Sequence, residues 1–178
     1  MDKRAAWIAL REKIVRLRSE GRLDLKQPFA ATFVGELDAE GLLTNRVATE
    51  TSGDATMLET AADFVTAMSD SGSFAYSKYL MRSGTNGKRA VVSLVQNVEE
   101  FSLCYIVETD DEAKAKRSAL ALNAMLQFGR LKGKDERTFI DGTNVSVADG
   151  RFTIDIKVAR EFAVRHIEKQ LAKPDKSG

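Results

Sequence analysis

The sequence predicts an α+β domain: an antiparallel sheet built from strand–strand–helix units with helices packed on one face, plus an N-terminal amphipathic helix. Three observations lead there. Paired segments of alternating apolar and polar residues are separated by turn residues, as in hairpins. Each pair runs into a segment whose apolar residues recur at helical spacing. That order occurs three times along the chain, which favours an antiparallel sheet with its helices on one side. The layout divides into residues 1–27 (helix and connector), 28–173 (a single α+β domain) and 174–178 (a tail).

Lys3 to Glu20 forms the first helix, ended by Gly21. Trp7, Leu10, Ile14 and Leu17 make a narrow apolar seam on it, spaced like the a and d positions of a heptad. The seam either docks on its own domain or contacts a partner, and these four residues are the candidate partner contacts. Pro28 then marks the entry to the first strand. Phe29, Ala31, Phe33, Gly35 and Leu37 share one face of it, and Asp38-Ala39-Glu40-Gly41 supplies the turn. Leu43, Asn45 and Val47 continue one face of the returning strand. Ser52-Gly53-Asp54 stops that strand and offers side-chain oxygens to cap a helix carrying Met57, Ala61, Phe64 and Met68.

Phe74, Tyr76, Tyr79 and Leu80 suggest a short aromatic helix or turn before a loop at Gly84 to Gly87. Ala90 to Gln96 and the stretch Phe101, Leu103, Tyr105, Val107 form the second hairpin around Asn97-Val98-Glu99-Glu100. Thr109 is the expected cap of a helix reaching about Phe128, with Ala115, Ala119, Leu122 and Leu126 on its apolar face. Gly129 to Arg137 reads as a charged loop. In the third unit Val145 and Val147 pair, across Asp149-Gly150, with the alternating strand Phe152, Ile154, Ile156, Val158. A last helix spans about Ala159 to Ala172.

Composition narrows the function classes. Among 178 residues, Lys plus Arg number 27 against 26 Asp plus Glu, so the basic excess of a nucleic-acid binder is missing. No run approaches the roughly 18 apolar residues of a membrane helix. The start MDKRAAWIAL does not read as a signal peptide. A cytoplasmic protein is one expectation; a periplasmic domain whose anchor or signal lies upstream is the other.

Catalytic patterns are missing too. Cys104 and His166 each stand alone, without the partners of a zinc site or a nucleophile–base pair. Asp110, Asp111 and Glu112 lie at a helix start, where they oppose the positive end of the helix dipole. Neither a P-loop nor Gly-x-Gly-x-x-Gly occurs. The expectation is a non-enzymatic domain with no cofactor and no metal.

Gly35-x-Leu37-Asp38-x-x-Gly41-x-Leu43, Val47, Ser52-Gly53-Asp54, Leu58-x-x-Ala61-Ala62 and Ala67 together resemble the hairpin–helix signature of TonB C-terminal domains over about residues 29–68. The resemblance implies the periplasmic part of a TonB-like envelope protein that offers a strand edge or helix face to a protein partner, such as an outer-membrane protein. Two alternatives stand beside it. One is a cytoplasmic adaptor or chaperone-like homodimer joined through the Trp7–Leu17 seam. The other is a small-ligand-binding domain with a cavity between helices and sheet, lined by residues such as Tyr76, Tyr79 and Phe101.

Overall fold

A computed structural model describes residues 4–72, 87–130 and 133–172 of the chain. In chain order the elements are α1 (Ala5–Ser19), β1 (Phe29–Leu37), β2 (Leu43–Gly53), α2 (Ala55–Asp70), β3 (Lys88–Gln96), β4 (Glu100–Glu108), α3 (Glu112–Gly129), α4 (Lys134–Asp141), β5 (Thr143–Ala148), β6 (Arg151–Ala159) and α5 (Arg160–Leu171). The expected aromatic segment around Phe74 to Leu80 lies outside the described residues.

The six strands form one sheet in the order β2-β1-β3-β4-β6-β5, and every neighbouring pair is antiparallel. Alternation decides which side is covered. Phe29, Ala31, Phe33 and Leu37 of β1, Val92 and Leu94 of β3, and Leu103, Tyr105 and Val107 of β4 are buried beneath the helices. The opposite face carries small and β-branched residues such as Thr32, Ser93 and Cys104, as an antiparallel sheet with one wet face should.

Local chemistry sets the boundaries. α1 ends in a Schellman motif: the Gly21 amide donates to Arg18 and the Arg22 amide to Leu17, with Gly21 at φ +66°. Asp54 caps α2 by accepting from the Met57 amide at 2.9 Å. The cap of α3 is Asp111, which accepts from the Lys114 amide at 2.9 Å, and not Thr109. Thr109 instead accepts from the Asp111 amide one step earlier, so the two oxygens act in series.

Two expectations need correction. Gly129 to Arg137 is not a continuous loop, because α4 starts at Lys134. Its Phe139 ring packs edge-on against Phe162 of α5 at 5.0 Å, and this tertiary contact anchors an otherwise polar helix. Leu43, Asn45 and Val47 do not share one face either. β2 uses eleven residues to span the nine of β1, and register shifts opposite Thr32/Phe33 and Val34/Glu36 absorb the excess. Each extra residue is a bulge that flips the alternation. Leu43 is therefore buried, while Val47 pairs with Val34 on the open face and is 61% exposed.

Candidate functional site

An apolar cavity of about 510 Å³, partly open to solvent, lies between the helices and one end of the sheet. Its floor is made where β1 begins, β3 ends and β4 begins. Phe29 pairs with Gln96, and Gln96 pairs with Phe101, so these side chains stand in one row on the covered face. Leu94 and the connector residue Leu25 complete the floor.

Three helices supply the walls. Trp7, Leu10, Arg11 and Ile14 come from α1; Met57, Thr60, Ala61 and Phe64 from α2; His166, Ile167, Gln170 and Leu171 from α5. The α1–α2 wall is well packed: Trp7 meets Phe64 edge-on at 5.6 Å, and Lys13 donates to both Glu59 and Asp63 at 2.6 Å. Those contacts hold the Lys13 ammonium above its usual pKa, chiefly through Asp63, and the same lysine draws the Glu59 carboxyl below its own. Across the other boundary, Arg11 donates to the Leu171 carbonyl at 2.9 Å and Arg18 pairs with Glu168 at 2.7 Å. A half-exposed ion pair of this kind contributes about 0–1 kcal/mol.

No carboxylate is found among the described residues lining the cavity. Its polar atoms come from Arg11, Thr60, Gln96, His166 and Gln170. His166 also borders a second, smaller pocket of about 150 Å³ with Asp135, Arg165 and Lys169. Its Nδ1 is buried without a hydrogen-bond partner, 3.8 Å from Asp135 Oδ2, which Lys169 already holds at 2.7 Å. That lysine keeps the Asp135 carboxyl below its ordinary pKa.

The four residues singled out on the first helix are placed as follows. Leu10, Ile14 and Leu17 are buried in the domain's own core, and Trp7 is half-buried against Phe64. The helix is thus docked on its own domain, and Trp7, Leu10 and Ile14 line the cavity. Phe101, expected in a ligand cavity, lies there; Tyr76 and Tyr79, named with it, fall outside the described residues. Sequence reasoning missed the rest of the lining, because Met57, Ala61 and Leu94 carry the same pattern as any filled core.

Elsewhere the chemistry is sparse. Cys104 sits half-buried on the open sheet face, where burial and, second, Asp155 push its thiol pKa up, away from nucleophilic use. Among the described residues no group of three His, Cys, Asp or Glu side chains is placed to hold a metal ion. No described helix is long and apolar enough to cross a membrane. No protein-family model matches the chain, and no curated protein matches it significantly.

Proposed function

We propose that this domain binds a small apolar molecule in the cavity between α1, α2, α5 and the sheet. The observation that carries this reading is the cavity itself: about 510 Å³, within the 300–1,000 Å³ common for ligand sites, with aliphatic and aromatic walls and a few polar atoms. The recess is partly open to solvent and leaves a concave, mostly apolar surface uncovered, the form common to small-molecule sites. That opening to solvent supplies a route in.

The test is ligand-linked stability with a blocked control. A ligand held at a hundredfold its Kd should add about 2.7 kcal/mol, or roughly 5–10 °C in Tm for a chain of this size. Ala61→Phe places a ring in the cavity and should remove that shift while the variant stays folded. A screen of apolar molecules that leaves Tm unmoved in the wild-type chain would count against the reading.

A second reading is the strand-edge interaction domain of an envelope protein, which the TonB-like resemblance implies. It is favoured by β2, an edge strand exposed from Asn45 to Gly53. Two bulges and the charges of Arg46 and Glu50 work against it, because such features discourage strand addition. Protease protection of the native product in intact cells, lost when the outer membrane is opened by osmotic shock, would support this reading. Protection that persists until lysis would end it.

A further inference from the structure

We infer that the ligand is a neutral apolar molecule carrying a hydroxyl group, an apolar alcohol, whose hydroxyl donates to Gln96 Oε1 on the cavity floor. This inference rests on the cavity being a ligand site, and it deepens that reading. Gln96 is 4% exposed, yet it is a polar side chain set between Phe29 and Phe101. Its Nε2 donates to the carbonyls of Leu25 at 2.9 Å and Gln27 at 2.8 Å. Those two acceptors fix the orientation of the amide, because the flipped form would set its oxygen against both carbonyl oxygens.

Oε1 is the atom left over. It accepts no hydrogen bond from the described residues, and it is not sealed from solvent space as His166 Nδ1 is. On a residue that lines the cavity and is otherwise buried, the space it addresses is the cavity. Thr60 lines the cavity as well, but its hydroxyl proton is used on the Thr56 carbonyl at 2.7 Å, so it brings no free donor to the site.

The chemistry of the occupant follows by elimination. An acceptor on the floor needs a donor, because an apolar group in its place would leave a buried carbonyl unpaired. A cationic amine would be stranded, since the described lining offers no carboxylate. A carboxylate at the floor would set acceptor against acceptor at Oε1, and the guanidinium in the lining, Arg11, already donates to the Leu171 carbonyl. A hydroxyl on a hydrocarbon body meets each condition.

Trp7 lines the cavity and is the chain's one tryptophan, so its emission reports occupancy directly. The full chain would be titrated with 1-decanol, its methyl ether and decanoate, alongside Ala61→Phe as the blocked control. Decanol is expected to bind on the order of tenfold tighter than the ether, because only the alcohol satisfies the floor. Gln96→Met should bring the alcohol-to-ether affinity ratio to about one, and that ratio, not either affinity alone, is the readout. If that variant does not fold, the wild-type series decides alone. Equal affinity for alcohol and ether, or decanoate binding tightest, would overturn the hydroxyl assignment and leave the cavity reading standing. If none of the three probes changes Trp7 emission, the cavity reading falls, and this inference with it.

Discussion

At the scale of single residues, Gly35 shows how sequence and geometry meet. It lies on the covered side of β1, opposite the bulged part of β2. A Cβ there would sit 2.6 Å from the Thr44 carbonyl oxygen and 3.0 Å from Leu43 Cδ1. The first neighbour is backbone and cannot swing away, so Gly35→Ala should cost about 1–3 kcal/mol, as overpacking does. Urea unfolding checks this; a loss under 0.5 kcal/mol would show that β2 shifts freely. Alternation along β1 was legible, but the bulges were not. The one hint in Asn45-Arg46-Val47 is Asn45, which takes φ +51°, a left-handed conformation asparagine tolerates, and one extra residue there is enough to turn Val47 outward. Capping was partly legible for a similar reason. Asp54 follows a strand-ending Gly53 and precedes an apolar helix, whereas Thr109, Asp110 and Asp111 offer three adjacent oxygens and only geometry selects Asp111.

At the scale of elements, α1 carries most of the functional weight. Its seam could be read from the spacing of Trp7, Leu10, Ile14 and Leu17; what the seam faces could not, because a buried helix face and a partner-binding face have the same pattern. The docked position rests on apolar burial, with the Lys13 contacts to α2 adding a pH-dependent part. Lys13 is raised above 10.5, so its contribution is complete below that value and drains away as pH climbs through the raised one. Glu59 is lowered from 4.5, so its contribution is present above 4.5 and is lost as pH falls through the lowered value. Lys13→Met should therefore lie below wild type by a constant margin from about pH 5 to 10, with the curves converging on either side. Thermal melts across pH test this; curves that stay parallel into acid would remove Lys13 from the α1–α2 contact. The short α4 illustrates the opposite case. Its apolar residues Phe139 and Ile140 are adjacent, too few to set a period, and its anchor on Phe162 is a tertiary contact.

At the scale of the whole molecule, the α+β class, the antiparallel sheet and the one-sided helices could all be read from alternation followed by helical spacing, repeated three times. The strand order β2-β1-β3-β4-β6-β5 could not, since each hairpin predicts its own pairing and says nothing of which hairpins adjoin. The cavity was legible only as one alternative, with Phe101 the one named residue now found in its lining. A void is the absence of atoms between residues distant in sequence, so it depends on how α1, α2 and α5 settle around the floor. Leu25, Leu94 and Leu171 belong to different elements and meet only in three dimensions. Leu120, Met125 and Phe128 on α3 are exposed apolar residues outside the cavity lining, and they provide an internal comparison.

That comparison defines the most direct measurement: backbone amide chemical-shift mapping of the full chain during titration with 1-decanol. Shifts are expected to saturate and to cluster at Trp7, Ala61, Leu94, Gln96 and Ile167, with α3 unmoved. Shifts confined to Leu120 through Phe128, or growing linearly without saturation, would contradict a ligand site inside the domain.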